Sequence, residues 1–181
     1  MIYVFLAKGF EEIEALTVVD YLRRAELDVF TVGVVGKIIT GSHNIPVFCD
    51  LDESEVSITD KINAVVLPGG MPGTLNLEAN KTVNDFIDYC VNEDKYLCAI
   101  CAAPSILGHK GLLEGKTACC FPGFEHELKG ANVSNDFVCT DGKIITAKGM
   151  GAAIEFSREI VSKLSDKYTA DRIKASLQCP F

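Results

Sequence analysis

Three short apolar runs, each stopped by a turn residue, constrain this chain more than any other feature. Met1 to Ala7 ends near Lys8-Gly9, Ala64 to Leu67 runs into Pro68-Gly69-Gly70, and Tyr96 to Ile100 stops at Cys101. Unbroken apolar runs of this length mark strands buried on both faces, because a strand with one wet face alternates instead. Helix-like segments lie between them. From Glu11 to about Ala25 apolar residues recur at helical spacing, and Leu27 to Val35 reads as the next strand, which completes a βαβ unit. A helix around Thr82 to Asn92 precedes the third run, and another follows Cys101 through about Gly108. Such alternation predicts an α/β fold: a mainly parallel sheet with helices on both faces.

The remaining segments extend this plan. Ile45 to Cys49 reads as extended and is followed by an acidic surface stretch, and Lys116 to Cys120 reads as a further strand. Phe137 to Thr140 and Lys143 to Ala147 read as a β-hairpin about Asp141-Gly142, a pair suited to a type I′ turn. Helices from about Ala152 to Leu164 and Ala170 to Leu177 close the chain, and the sheet is expected to be mixed. With 181 residues, 48% of them hydrophobic and 23% charged, one domain over residues 1–181 accounts for the whole. The net charge of −8 argues against nucleic acid or an anionic membrane as partner. The amino terminus lacks the basic flank and cleavage site of a signal peptide, and no apolar run approaches the ~20 residues of a membrane span. A cytoplasmic protein with its eight cysteines reduced is expected.

Cys101 is the first candidate for chemistry. Ligands in open α/β sheets sit beyond the carboxyl ends of the strands, where both Cys101 and Gly69-Gly70 fall. A residue wedged between strand and helix is held in a sharp turn that exposes its side chain, and the small neighbours Ala99, Ala102 and Ala103 allow it. The helix start is expected to lower the thiol pKa. The competing reading is a buried packing cysteine, the default for cytosolic cysteines. Glu14 is the second candidate, since its helix face also carries Val18, Tyr21, Leu22 and Ala25. A carboxyl on an apolar stripe needs a partner or a proton. Alternatively Glu14, like Glu11 and Glu12, favours the helix dipole from the solvent side. The amides of Gly69-Gly70, placed after a buried strand, suit an anion or oxyanion.

Other patterns carry less. Cys98 and Cys101 make a Cys-x-x-Cys string, but Cys98 lies inside a strand, so the spacing reads as chance. Cys119-Cys120 has no companion pair at metal spacing, and neither a metal nor a cofactor is expected. His43, His109 and His126 read as surface or packing residues, none adjoining Cys101. A nucleotide or flavin site is disfavoured because Glu11 and Glu12 would repel phosphate at the first helix start. A phosphoacceptor site fails because Ala7-Lys8 supplies no acidic pair for magnesium.

Four segments together, Lys8 to Glu14, Leu67 to Gly73, Ala99 to Pro104 and Thr146 to Gly151, resemble the ThiJ/PfpI superfamily in order and nearly throughout, and within it a deglycase branch. The resemblance implies a flavodoxin-like fold, usually a homodimer, with Cys101 as a nucleophilic, oxidation-sensitive cysteine on its elbow. It implies that Glu14 is the protonated glutamate that hydrogen-bonds the sulfur, and that the amides of Gly70 and Ala102 form an oxyanion pocket. Two departures stand out. The protease-like branch has His where this chain has Ala102, which disfavours a Cys-His peptidase. Nearer relatives place a His just before Pro122, where this chain has Phe121. The expected function is therefore glyoxalase- or deglycase-like action on a small aldehyde such as methylglyoxal. The alternative is a redox-sensing or chaperone-like oxidative-stress protein whose partner is an oxidant.

Overall fold

The structure, a computed structural model, describes residues 1–178, so Cys179 lies outside the described residues. In chain order the strands are β1 (Ile2–Leu6), β2 (Val29–Gly33), β3 (Ile38–Thr40), β4 (Pro46–Phe48), β5 (Leu51–Asp52), β6 (Ala64–Leu67), β7 (Tyr96–Ile100), β8 (Thr117–Ala118), β9 (Asn132–Val133), β10 (Val138–Asp141) and β11 (Ile144–Ala147). The helices are α1 (Glu12–Arg24), α2 (Gly73–Ala79), α3 (Lys81–Asn92), α4 (Pro104–His109), α5 (Ala153–Leu164) and α6 (Lys167–Ser176). Seven strands form the central sheet in the order β10-β11-β7-β6-β1-β2-β5. Every neighbouring pair is parallel except the β10–β11 hairpin, so the fold is the expected flavodoxin-like α/β sandwich.

The unbroken apolar runs divide between two cores because successive side chains leave a strand on opposite faces. From β1, Ile2, Val4 and Leu6 pack with α1, α5 and α6, through residues such as Val18, Phe156 and Ile173. Tyr3, Phe5 and Ala7 join Leu77 of α2, Phe86 of α3 and Ile106 of α4 on the other face. β6 and β7 split in the same way, with Val66 and Cys98 on one side and Val65 and Leu97 on the other. Such runs can be recognised from sequence because both faces of the strand are dry.

The structure adds partners to two of the expected strands and corrects the hairpin turn. Lys116 to Cys120 does not enter the central sheet: its short strand β8 pairs with β9 in a separate two-stranded sheet. Ile45 to Cys49 supplies β4, which pairs antiparallel with β3 in a second small sheet, and the acidic stretch after it holds β5, an edge strand beside β2. The hairpin turn is shifted by one residue. Asp141 pairs with Ile144, leaving Gly142 and Lys143 at the centre. Only Gly142 has positive φ, at 61°, the pattern of a type II′ turn rather than type I′. α2 went unforeseen because it follows the Met71-Pro72-Gly73 turn directly and is short.

Candidate functional site

Four loops meet at the carboxyl ends of parallel strands: Lys8 to Glu11 after β1, Pro68 to Pro72 after β6, Cys101 to Ala103 after β7, and Lys148 to Met150 after β11. Cys101 has φ 66°, a left-handed backbone that L-residues enter only under constraint. Two hydrogen bonds supply that constraint, from Cys101 N to Ala147 O at 2.8 Å and from Phe121 N to Cys101 O at 2.8 Å. Cys101 is half-buried, whereas the other six described cysteines are buried. The elbow expected from sequence is present, and the packing-cysteine reading does not hold at this position.

Glu14 is 1% exposed on the inner face of α1. Its Oε2 accepts from Gly69 N at 2.9 Å, and its carboxyl also meets the Met150 N–H and the Cys101 sulfur. Burial above all raises this carboxyl to about 7, against an ordinary 4.5. The solvent-side reading fails for Glu12 as well, which is 4% exposed. Glu12 receives the His43 N–H at 2.8 Å and contacts His43 Nδ1 at 2.9 Å and Ser42 Oγ at 3.2 Å. Burial alone would raise Glu12, but these hydrogen bonds outweigh it and hold the carboxyl at about 2. Glu11 caps α1, accepting from Glu14 N at 2.7 Å.

The thiol departs from its expected direction. Burial, followed by the charge and hydrogen bond of an ionised Glu14, pushes Cys101 up to about 12, against the pull of the Gly70 and Ala102 amides. The helix dipole fails to lower it because α4 begins only at Pro104 and has six residues. What the sulfur receives instead are two individual N–H groups, from Gly70 and Ala102. A proton on Glu14 removes the opposing charge, so the state of the carboxyl sets how readily sulfur ionises.

The glycines make this closeness possible. A Cβ on Gly69 would lie 2.5 Å from Cys101 Cβ and 2.7 Å from Glu14 Oε2. Gly70 has φ 88°, and a Cβ there would come within 2.4 Å of Glu11 N. Across the site, a Cβ on Gly149 would be 3.1 Å from the Phe121 ring and 3.6 Å from Glu14 Oε1. An apolar ring therefore flanks the carboxyl. Each histidine is engaged elsewhere: His43 with Glu12, His109 with Glu78 and Glu127, and His126 with Glu127. Sequence reasoning missed the Met150 amide and Gly149, which adjoin Glu14 only through tertiary packing.

Among the described residues, Glu11, Glu12 and His43 are the group with metal-ligand chemistry, their donor atoms lying within 4.8 Å of one another. The acceptors of Glu12 are taken by Ser42 and His43, and Glu11 is spent on its cap. A cavity of about 600 Å³ opens beside Lys8, Val34, Ile39 and Asn76, and Cys101 does not line it. The chemistry is marked by converging polar groups rather than by volume. No helix among the described residues is long and apolar enough to cross a membrane.

Fold and elbow together define a class, the flavodoxin-like α/β proteins organised around a cysteine turn. Comparison narrows this further: the DJ-1/PfpI family profile matches residues 1–163, and the chain belongs to that family. Protein dj-1beta of Drosophila melanogaster is 32% identical over 177 residues, 96% of this chain and 94% of the fly protein. A deglycase of Pyrococcus abyssi is 28% identical over 90% of this chain and 98% of its own. The solved structure of oxidized Toxoplasma gondii DJ-1 superposes with a TM-score of 0.91 at 30% identity, covering 99% of this chain and 98% of that one.

Proposed function

We propose that this protein is a Cys101-dependent enzyme acting on small reactive carbonyls, glyoxalase- or deglycase-like, with methylglyoxal as the test substrate. The observation that carries this reading is the Glu14 carboxyl, held at about 7, in contact with the Cys101 sulfur. A carboxyl poised near neutrality both accepts and returns a proton. Ionised Glu14 takes the thiol proton as sulfur bonds to the aldehyde carbon, and the Gly70 and Ala102 amides receive the resulting oxyanion. Glu14 passes that proton to the oxyanion and, ionised again, moves the C–H proton of the former aldehyde carbon to the neighbouring carbonyl carbon while the new hydroxyl proton passes to that carbonyl's oxygen, giving a thioester of lactate that water cleaves. The aldehyde carbon is oxidised and the ketone carbon reduced, so methylglyoxal plus water becomes lactate with no external redox partner. Phe121 offers no imidazole, which leaves the acid–base work to Glu14. The deglycase relative supports this class of substrate. A Cys-His protease is disfavoured, since no histidine joins the sulfur. We place the enzyme in the cytoplasm as a homodimer without cofactor or metal; the exposed Ile13 and Leu16 of α1 support the dimer. Lactate formed from methylglyoxal by purified protein tests the reading: Cys101→Ser is expected to stop it, and unchanged activity in that variant overturns it.

The oxidized Toxoplasma relative favours a second reading, in which Cys101 records oxidation as a sulfinate held by Glu14 and the same amides. Intact mass and peptide mapping after mild peroxide separate the two readings. Selective sensing requires Cys101 to oxidise ahead of Cys90 and Cys179.

A further inference from the structure

Two buried thiols stand outside the Cys101 machinery. Cys119 follows β8, and Cys139 lies in β10, the edge strand of the central sheet. Thr146 brings them together. It sits directly opposite Cys139 in the β10–β11 ladder, so their side chains share a face. Its Oγ1 accepts from Cys119 N at 3.0 Å, and Cys119 Sγ lies 3.4 Å from Thr146 O and 3.7 Å from Thr146 Oγ1. The same sulfur is 3.8 Å from the carbonyl of Phe137, two residues before Cys139. The Cys119 sulfur thus lies over the hairpin, touching the Phe137 segment and Thr146, with the Cys139 thiol and N–H among its neighbours.

We propose that Cys119 and Cys139 form a second redox site, which closes to an intramolecular disulfide under peroxide independently of Cys101. Cys139, 5% exposed on an edge strand, is the thiol a peroxide reaches first, whereas Cys119 is fully enclosed. Its sulfur takes one peroxide oxygen: an S–O bond forms, the O–O bond breaks and one water leaves. Cys119 then attacks that sulfur, the S–S bond forms, the S–O bond breaks, and the oxygen departs as a second water carrying the last thiol proton. Two thiols lose two electrons and one peroxide becomes two waters. Burial, then the charge on Cys139, pushes the Cys119 thiol up to about 12, which keeps the pair reduced under mild oxidant. The site also has a route to Cys101. Cys119 is two residues from Phe121, whose N–H holds the Cys101 carbonyl and whose ring flanks Glu14 across Gly149. A bond at Cys119 therefore fixes the segment that frames the elbow.

The test starts from reduced wild-type protein. It is exposed to graded hydrogen peroxide, denatured in N-ethylmaleimide to block the remaining thiols, digested and mapped by mass. The expected product is one linked pair of peptides joining Cys119 to Cys139, two hydrogens lighter than their sum and reopened by dithiothreitol. Cys101→Ser is expected to form it at a rate within about twofold of wild type, and Cys119→Ala and Cys139→Ala each to abolish it. Three results overturn the proposal: both thiols still blocked by maleimide after Cys101 is fully oxidised, bridges from either one to other cysteines, or loss of the link in Cys101→Ser. Because the mapping begins with wild type, a variant that folds poorly does not decide the outcome.

Discussion

The Glu14 carboxyl, raised by burial first from 4.5 to about 7, binds its proton more tightly in the folded chain than in the unfolded one. Its stabilisation is complete below 4.5 and is lost as pH rises through about 7, a swing on the order of 3 kcal/mol. Glu14→Gln should flatten the pH dependence of unfolding free energy across that window, as urea titrations at several pH values will show. In the proposed reaction the same variant should lower lactate formation by roughly 10²- to 10⁴-fold. Wild-type activity should climb as pH rises through about 7, where the base is freed. Cys101 and Glu14 could be picked out in the sequence because their signals are local: an elbow after a dry strand, and an acid in phase with Val18, Tyr21 and Leu22. The burial of Glu12 could not be, since it depends on Ser42 and His43 folding over α1 from a distant loop. The direction of the thiol pKa was missed for a related reason: helix position is local, whereas desolvation and the Glu14 charge are tertiary.

At the scale of elements, glycines set how closely the four loops approach. Gly69→Ala would drive a methyl into Cys101 Cβ and Glu14 Oε2, at 2.5 and 2.7 Å. A destabilisation of about 1–3 kcal/mol is expected from such overpacking, together with altered alkylation of Cys101, checked by denaturant melts and thiol labelling. On the same buried face of α1, two turns beyond Glu14, Tyr21 Oη donates to Ala170 O at 2.6 Å and ties α1 to α6. Tyr21→Phe removes this bond between helices while the carbonyl keeps its place inside α6, for an expected loss of about 0.5–1.5 kcal/mol. The strands of the central sheet could be read because they are dry on both faces or belong to a marked hairpin. β5, at the edge of that sheet, and β9 could not, because a two-residue strand is defined by its partner rather than by its own pattern; β8 showed as a strand within Lys116 to Cys120, but its pairing with β9 did not.

For the whole molecule, titrating groups of opposite sign bound the pH range of stability. Glu12, whose hydrogen bonds to His43 and Ser42 outweigh burial, stabilises fully above 4.5, a contribution lost as pH falls toward about 2. His109, raised above 6.5 by hydrogen bonds to Glu127 and then Glu78, stabilises below 6.5 and loses that contribution as pH rises through its raised pKa. With Glu14 acting in the same direction as His109, Tm in a scan from pH 3 to 9 is expected to peak between about 4.5 and 6, below neutrality. A maximum at or above neutral pH would contradict this balance. All four loops of the site follow carboxyl ends, so the opposite rim has different neighbours. There Asp94, with its side chain 84% exposed, precedes β7, which ends at Ile100, just before Cys101. That strand serves as a built-in ruler: the five steps from Tyr96 to Cys101 span roughly 17 Å, and a dye carried at residue 94 would stand on the order of 20 Å from the sulfur. At that spacing it could report on events at the elbow without touching them.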